Sequence, residues 1–442
     1  MKHYKPYPKY RDSGVKWIDE VPEHWEVKRL RHVATFKNSN VDKKAYDGHE
    51  PVSLCNYTDV YYNEFITPNL PFMKATASPA EIEQFTLKKG DVIITKDSED
   101  PSDIGIPSLV KEEVLGVVCG YHLTMIRGTD FDTARLLHRI LQSHPTQNHF
   151  FVEAPGITRY GLSQDAIGDL RFCLPPANER GAIAVYIDRE TSRIDALIAK
   201  KTRFIELLKE KRQALITHAV TKGLDPNVKM KDSGVEWIGE IPGHWEVVQS
   251  RRLFSERKEK AREGDIQLTA SQKYGVIKQS EFMEREGRRV MLVDKGRDIL
   301  KHIESGDFLI SMRSFEGGLE ACNEAGCVSS AYVPLTPIKW VWNSFFKYLF
   351  KSTGYIQALQ STSDLVRDGQ ALRFENFAEV PLVRLSIDEQ KCISDFLDRQ
   401  LERIDGLTSK TQGSIDLLKE RRLALITAAV TGQIDVREEA TA

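Results

Sequence analysis

DSGVKWIDEVPEHWEV, residues 12–27, is written again at residues 232–247 as DSGVEWIGEIPGHWEV. Twelve of the sixteen positions are identical, and the copies lie 220 residues apart. A second repeat is as clear: LLKEKRQALITHAVTKGLD (207–225) matches LLKERRLALITAAVTGQID (417–435) at thirteen of nineteen positions, with an offset of 210. Arg193-Ile194-Asp195 and Arg403-Ile404-Asp405 keep that offset, as do Asn178-Glu179-Arg180 and Asp388-Glu389-Gln390. A fainter echo links LKKGDVIITK (87–96) to IESGDFLISM (303–312). The chain is therefore a tandem duplication, and self-similarity of this kind decides the fold before any local reading does. Each half runs signature, variable region, long charged segment.

The charged segments carry a heptad pattern. Ile187, Ile194, Lys201, Leu208 and Leu215 recur every seven residues, with Leu197/Ile198 and Phe204/Ile205 at the alternate seam positions. Leu397, Ile404, Thr411, Leu418 and Leu425 repeat the register, joined by Leu407 and Ile415. An apolar spacing of 3.5 residues over about five heptads predicts a coiled coil. Each helix of roughly 40 residues would be about 60 Å long, and two from one chain would pair with each other. Lys201 and Thr411 fall in the middle heptad, where a polar seam residue fixes register or merely snorkels. Asn178 or Asp388 can cap the helix starts, and Gly223 and Gly432 mark the exits.

The variable regions mix short β-branched runs, such as DVIIT (91–95) and DFLIS (307–311), with turns and late helical patches. That mixture predicts two compact α+β or α/β domains. The expected class is α+β, with two pseudo-symmetric α/β domains and a pair of long coiled-coil helices. The expected boundaries are an N-terminal segment 1–27, a first domain 28–176, a first helix 177–222 and a linker with the second signature 223–247. A second domain 248–386, a second helix 387–431 and a tail 432–442 complete the chain.

Hydrophobic content of 41% and charged content of 29% are those of a globular protein. No apolar run reaches the ~18 residues of a membrane span, and no secretory signal is visible, so a cytoplasmic location is expected. Six cysteines lack a framework or zinc spacing. The formal charge of −2 neither requires nor excludes a nucleic-acid partner, because 62 basic and 64 acidic residues can be segregated. Catalytic signatures are missing: there is no GxxxxGK[ST], HExxH, GxSxG or Gly-rich cofactor loop. Pro175-Pro176-Ala177-Asn178 has the wrong order for a methyltransferase loop. Glu389-Gln390-Lys391 resembles a nuclease triplet only by composition. His24 and His244, each before a tryptophan, read as packing or turn elements. The expectation is a non-catalytic chain without a metal or cofactor of its own.

Binding remains. Lys96, Thr158, Arg159 and Tyr160 in the first region are basic, aromatic or small polar residues in loop-like contexts. Gln272, Lys273, Tyr274, Arg313, Arg367, Gln370 and Arg373 are their counterparts in the second. Arg and Gln read base edges bidentately, while Lys serves phosphates. For any one of them, a solvated surface position is the simpler reading.

The twice-written DSGVxWIxExPxHWEV and the matching LLKExRxALIT helices resemble the specificity subunits of type I restriction–modification enzymes, over nearly the whole chain. The resemblance implies that each variable region is a target-recognition domain reading one half of a split double-stranded DNA site. It further implies that the two helices form an antiparallel coiled coil, which separates the domains and docks two methyltransferase subunits, with restriction subunits in the full complex. S-adenosylmethionine, ATP and Mg2+ would belong to those partners. A coiled-coil adaptor binding only proteins is the competing expectation.

Overall fold

The computed structural model describes residues 5–287, 299–311, 314–362 and 372–440. The repeated signature folds the same way twice. Gly14 and Gly234 donate their amides to Asp12 and Asp232 Oδ1 at 2.8 and 2.9 Å. Val15 and Val235 donate to Ser13 and Ser233 Oγ. These turns demand positive φ at the third residue, and the two glycines have φ of 68° and 70°. Around each turn two short strands pair antiparallel, Tyr10–Asp12 with Glu20–Pro22 and Met230–Asp232 with Glu240–Pro242.

The chain divides into two compact units, Met1–Thr202 with Gly413–Ala442, and Arg203–Gln412. Both contain a sheet laid out in one order. In the first unit it runs Ala34–Asn38, Leu123–Gly128, Asp91–Thr95, Pro107–Val110, with Phe65–Ile66 added parallel at the edge. In the second it runs Phe254–Glu256, Val333–Pro337, Phe308–Ile310, Glu320–Ala321. The Gly-Asp turn before the third strand is also shared. Gly90 and Gly306 both have φ of 93°, and Asp91 and Asp307 accept the amides of Lys88 and Glu304. An arginine then grips each aspartate from a different strand position. Arg127 comes from the neighbouring strand (2.6 Å), and Arg257 from just beyond the edge strand (2.7 Å). DVIIT is buried at every position, as its uninterrupted apolar run requires of a central strand.

A helix packs on each sheet, Phe131–Gln142 in one unit and Asn343–Leu349 in the other. A last strand, Arg171–Leu174 or Leu382–Arg384, returns to pair with the strand following the signature, Glu26–Arg29 or Glu246–Val248. Each domain thus closes on its own signature before its long helix begins.

The long helices are Ala177–Lys222 and Ile387–Val430, and each contributes to both units. Asp195 pairs with Arg422 at 2.9 Å in the first unit, and Arg212 with Asp405 at 3.5 Å in the second. Advancing from 195 to 212 on one helix corresponds to retreating from 422 to 405 on the other, an antiparallel register. Ile187, Ile194, Leu208, Leu397, Ile404 and Leu425 are buried; Lys201, Leu215, Thr411 and Leu418 are half-buried. Of the alternate positions, Ile205 and Ile415 turn inward and Ile198 is half-buried. Leu197, Phe204 and Leu407 are instead 48%, 43% and 47% exposed. The seam needs one inward side chain per turn, and the branched isoleucine takes the place beside Leu197 and Phe204. Toward their ends the helices stop being a simple coil. Ile183, Tyr186, Ile426 and Ala429 belong to the first domain's core, and Val220, Ile393 and Leu401 to the second's.

Asn178 and Asp388 are not caps, because both helices begin before them; Ser386 Oγ accepts the Glu389 amide at 3.2 Å and caps the second. Gly223 and Gly432 leave the helices at φ of 71° and 73°. Residues 432–440, expected as a tail, are packed. Val436 is fully buried, Tyr10 donates its hydroxyl to Gly432 O (3.0 Å), and Asp435 donates its amide to Lys5 O (2.8 Å). Among the described residues no helix is long and apolar enough to cross a membrane.

Candidate nucleic-acid interface

The His-Trp pairs are clamps on the long helices. Trp25 and Trp245, almost wholly buried, donate Nε1–H to Glu179 Oε2 (3.1 Å) and Glu389 Oε1 (2.9 Å). The other carboxylate oxygen lies 3.0 Å from His24 Nε2 in one copy and 2.9 Å from His244 Nε2 in the other. An indole N–H needs a partner when buried, and a glutamate in the first turn supplies one while complementing the helix dipole. The triplet Glu389-Gln390-Lys391 is absorbed by packing. Glu389 makes the clamp, and buried Gln390 donates to Trp340 O (2.9 Å) and accepts from the Trp342 amide (2.8 Å). Lys391 Nζ stands 5.0 Å over the Trp342 ring.

In the first domain, residues some sixty positions apart converge. Strand Tyr160–Gly161 pairs with Asp97–Ser98, bringing Arg159 against Lys96 and Asp97. Arg159 donates Nη2–H to Asp97 Oδ1 (2.6 Å), and His122 Nδ1 lies 2.7 Å from the same oxygen. Lys96 donates to Tyr121 O (3.2 Å), and its Nζ lies 4.9 Å from the Tyr121 ring centroid. Thr158 is exposed one residue away, and Tyr160 is half-buried. Arg159, 57% exposed at its side chain, is held at Nη2 by Asp97, with His122 Nδ1 2.9 Å from the same nitrogen. A buttressed guanidinium loses less rotamer freedom on meeting a base edge or phosphate.

A cleft of about 400 Å³ adjoins this cluster, lined by Lys43, Lys44, Asn56, Tyr57, Tyr121 and His122. Gly120 makes it possible. Its amide donates to Cys55 O at 2.9 Å, and a Cβ there would stand 2.6 Å from that oxygen. Only glycine lets the Tyr121-His122 loop lie against Asn56-Tyr57. The Tyr57 hydroxyl donates to Asp103 O at 3.3 Å, and its pKa is pushed above the ordinary value chiefly by burial. Asp42, at the rim, is held below the usual carboxylate range by the Lys44 amide and then the Tyr46 hydroxyl. The arrangement offers amide, imidazole, phenol and cationic groups in one concavity, a donor and acceptor set suited to base edges and phosphates. Asn56, Tyr57, Tyr121 and His122 were missed from sequence, because Tyr121-His122 sits inside a run that reads as strand.

In the second domain Gln272, Lys273 and Tyr274 form the tip of the hairpin Leu268–Ser271/Gly275–Lys278. Gln272 and Lys273 are exposed and Tyr274 is half-buried. Lys273 Nζ lies 3.2 Å from Glu286 Oε1, which also accepts the Tyr274 hydroxyl (2.9 Å). Arg285 also lies over that ring, 4.9 Å from its centroid. Arg373 is exposed at the start of helix Phe374–Glu379, donating its amide to Asn376 Oδ1 (3.0 Å). Arg313, Arg367 and Gln370 lie outside the described residues. Among the described residues no group of histidine, cysteine and carboxylate side chains could hold a metal ion.

The fold is that of a duplicated α+β protein in which two α/β domains are each clamped to a long antiparallel helix pair. No family model matches the chain. Over 441 residues, 97% of this chain and 98% of the other, it is 21% identical to the type I restriction enzyme MjaX specificity subunit of Methanocaldococcus jannaschii. Its backbone superposes with a TM-score of 0.67, at 14% identity, on a chain from a structure of type I R-M complex assembly and conformational transition, covering 94% of this chain and 99% of that one. The HsdS subunit from Thermoanaerobacter tengcongensis gives a TM-score of 0.50 at 14% identity, covering 94% and 98%. The chain is similar along nearly its whole length to type I restriction–modification specificity subunits, and it has their fold.

Proposed function

We propose that this chain is the non-catalytic DNA-specificity subunit of a type I restriction–modification complex, working in the cytoplasm. Each domain reads one half of a bipartite duplex target. The helix pair sets the unread spacer and docks two adenine-methyltransferase subunits, and through them the restriction subunits. S-adenosylmethionine, ATP and Mg2+ are then used by the partners. The observation that carries this reading is a framework built twice around dissimilar loops. Matching clamps, Gly-Asp turns and helices suit identical partners, while the cleft beside Arg159 and the hairpin at Gln272-Lys273-Tyr274 are built differently. Leu407 and Leu417, exposed on the second helix, repeat Leu197 and Leu207 of the first; such paired apolar positions are what two copies of one partner would cover.

The test is a map of methylated adenines in the host genome with and without the gene. A split motif should be present with the gene and vanish on its deletion. Persistence of every such motif would end the proposal, and an adaptor without DNA specificity would then be the better reading. Within that map, Arg159→Ala should relax one half-site and leave the other unchanged, reducing occupancy by about 5-fold or more, since a bidentate base contact contributes ~1–3 kcal/mol.

A further inference from the structure

The long helices carry the same three charges toward each recognition domain. Asp188, Asp195 and Arg422 serve the first, and Asp398, Asp405 and Arg212 the second, each pair separated by the repeat offset of 210. What enters this constant socket differs. In the first unit Arg135 and Arg139, from helix Phe131–Gln142, both close on Asp188, with Nη2 2.6 Å from Oδ2 and 2.7 Å from Oδ1 respectively. Arg139, 2% exposed at its side chain, also pairs with Glu64, Glu64 pairs with Arg422, and Arg422 with Asp195 at 2.9 Å. In the second unit a phenol replaces the arginines. Tyr348 donates its hydroxyl to Asp398, Arg212 pairs with Asp405, and Gln213 Nε2 donates to Lys351 O at 3.2 Å.

We infer that this triad is a positioning site that fixes each recognition domain's angle on the helices, and with it the spacing at which two half-sites are read together. The inference rests on the specificity-subunit reading. Its physical basis is direction. Apolar contact between a domain and a helix pair scales with area and tolerates sliding or tilting. A carboxylate taken by two forked guanidiniums, or by one phenol, fixes orientation. A tilt of about 10° at a lever of about 20 Å moves a reading loop by roughly one base-pair rise, ~3.4 Å. Small losses of angular definition should therefore surface as spacer errors before they surface as lost recognition. A socket that accepts either plug also lets one helix framework carry domains of unrelated sequence.

Tyr348→Phe and Arg135→Lys, each in the full chain at its native locus, test this by genome-wide mapping of methylated adenines. The first removes one hydroxyl; the second keeps the charge and loses the fork. Wild type should show one spacer length. Each variant should keep both half-sites and raise methylation of sites with a spacer one base pair longer or shorter by at least 10-fold. An unchanged spacer distribution overturns the inference. So does an altered half-site, or complete loss of methylation by Tyr348→Phe, because a positioning contact loosens register without ending recognition. If deleting the gene removes no split motif, it is the specificity-subunit reading that fails instead.

Discussion

The helix Phe131–Gln142 buries an arginine and a histidine, whereas the pseudo-equivalent helix Asn343–Leu349 buries rings. Arg139 and His138 are 2% and 1% exposed, and around them the first core is aliphatic, built from Val92, Ile94, Ile126, Leu137 and Ile140. In the second core Phe254, Phe308, Phe346 and Phe350 are fully buried. Phe254 lies 5.2 Å from Phe346, and Phe308 5.1 Å from Phe350, in edge-to-face contact. The balance of charged residues in the sequence diverges as well. Residues 28–176 contain 16 basic and 19 acidic side chains, and residues 248–386 contain 21 and 18. On the proposed function, the second domain then supplies more of the salt-sensitive attraction to phosphate. What the units share is narrower than a fold and more informative: the signature turn, the His-Trp clamp, the Gly-Asp turn, the sheet order and the helix charges. Core chemistry is free to vary as long as these remain.

The largest expected effect breaks the comparison at the socket. Arg139→Leu leaves Asp188 with Arg135 alone and Glu64 with Arg422 alone, and should destabilise the first unit by ~2–3 kcal/mol, since hydrogen bonds to charged groups are the stronger kind. Tyr348→Phe removes one hydrogen bond and should cost the second unit about 1 kcal/mol. Urea unfolding followed by hydrogen exchange separates the two. Equal losses would mean that the ion network is no stronger a tie than the phenol.

The clamps come next. Glu179 holds Trp25 and His24 and also pairs with Arg437 (3.2 Å), whereas Glu389 holds only the tryptophan and histidine of its own signature among the described ion pairs. Glu179→Gln should therefore cost about 2 kcal/mol and Glu389→Gln about 1, because a hydrogen bond involving a charged group is the stronger kind. Reversal of that order in thermal unfolding would show that the C-terminal segment adds nothing to the first clamp.

Acid should separate the units too. Burial, reinforced by the neighbouring Arg139 charge, holds His138 well below the ordinary histidine pKa. The unfolded chain thus binds a proton that the folded one refuses. Stability is intact above about pH 6.5 and falls as pH drops below it, by up to ~1.4 kcal/mol per unit until the folded group titrates. Counted from the helix start, Phe350 occupies this place in the second unit and has no proton to take. Hydrogen exchange between pH 7 and 5 should show residues 131–142 losing protection, and His138→Leu should flatten that loss.

Duplication and helices were legible because repetition and heptad spacing are one-dimensional signals. Which heptad side chains face inward was not: Leu197 and Ile198 are adjacent and equally apolar, and only the partner helix chooses between them. The candidate interface was half legible for a similar reason. Arg159 and Lys96 could be picked out singly, but their convergence on Asp97 depends on a two-residue strand pairing. The packing of residues 432–440 against Lys5 and Tyr10 lay beyond any local pattern. Sequence shows that 225 and 435 correspond, yet not that the latter segment returns to a signature more than 400 residues earlier.

The smallest expected effect sharpens the comparison at a single dihedral. Both copies of the signature reach the left-handed region at the same place, but with Asp19 at φ of 58° in the first and Gly239 at φ of 68° in the second. Aspartate tolerates the left-handed region better than most residues but still meets a Cβ penalty there. Glycine avoids that penalty and loses more entropy on folding. Nothing lies within 4 Å of a Cβ built at Gly239, so packing does not enter the balance. Asp19→Gly and Gly239→Asp should then shift stability by about 0.5 kcal/mol in opposite directions, stabilising in the first signature and destabilising in the second. Their sum in the double variant should lie near zero, since the sites share no partner. Two shifts of the same sign would mean that the copies, though alike in every turn hydrogen bond, are strained differently by the domains they hold.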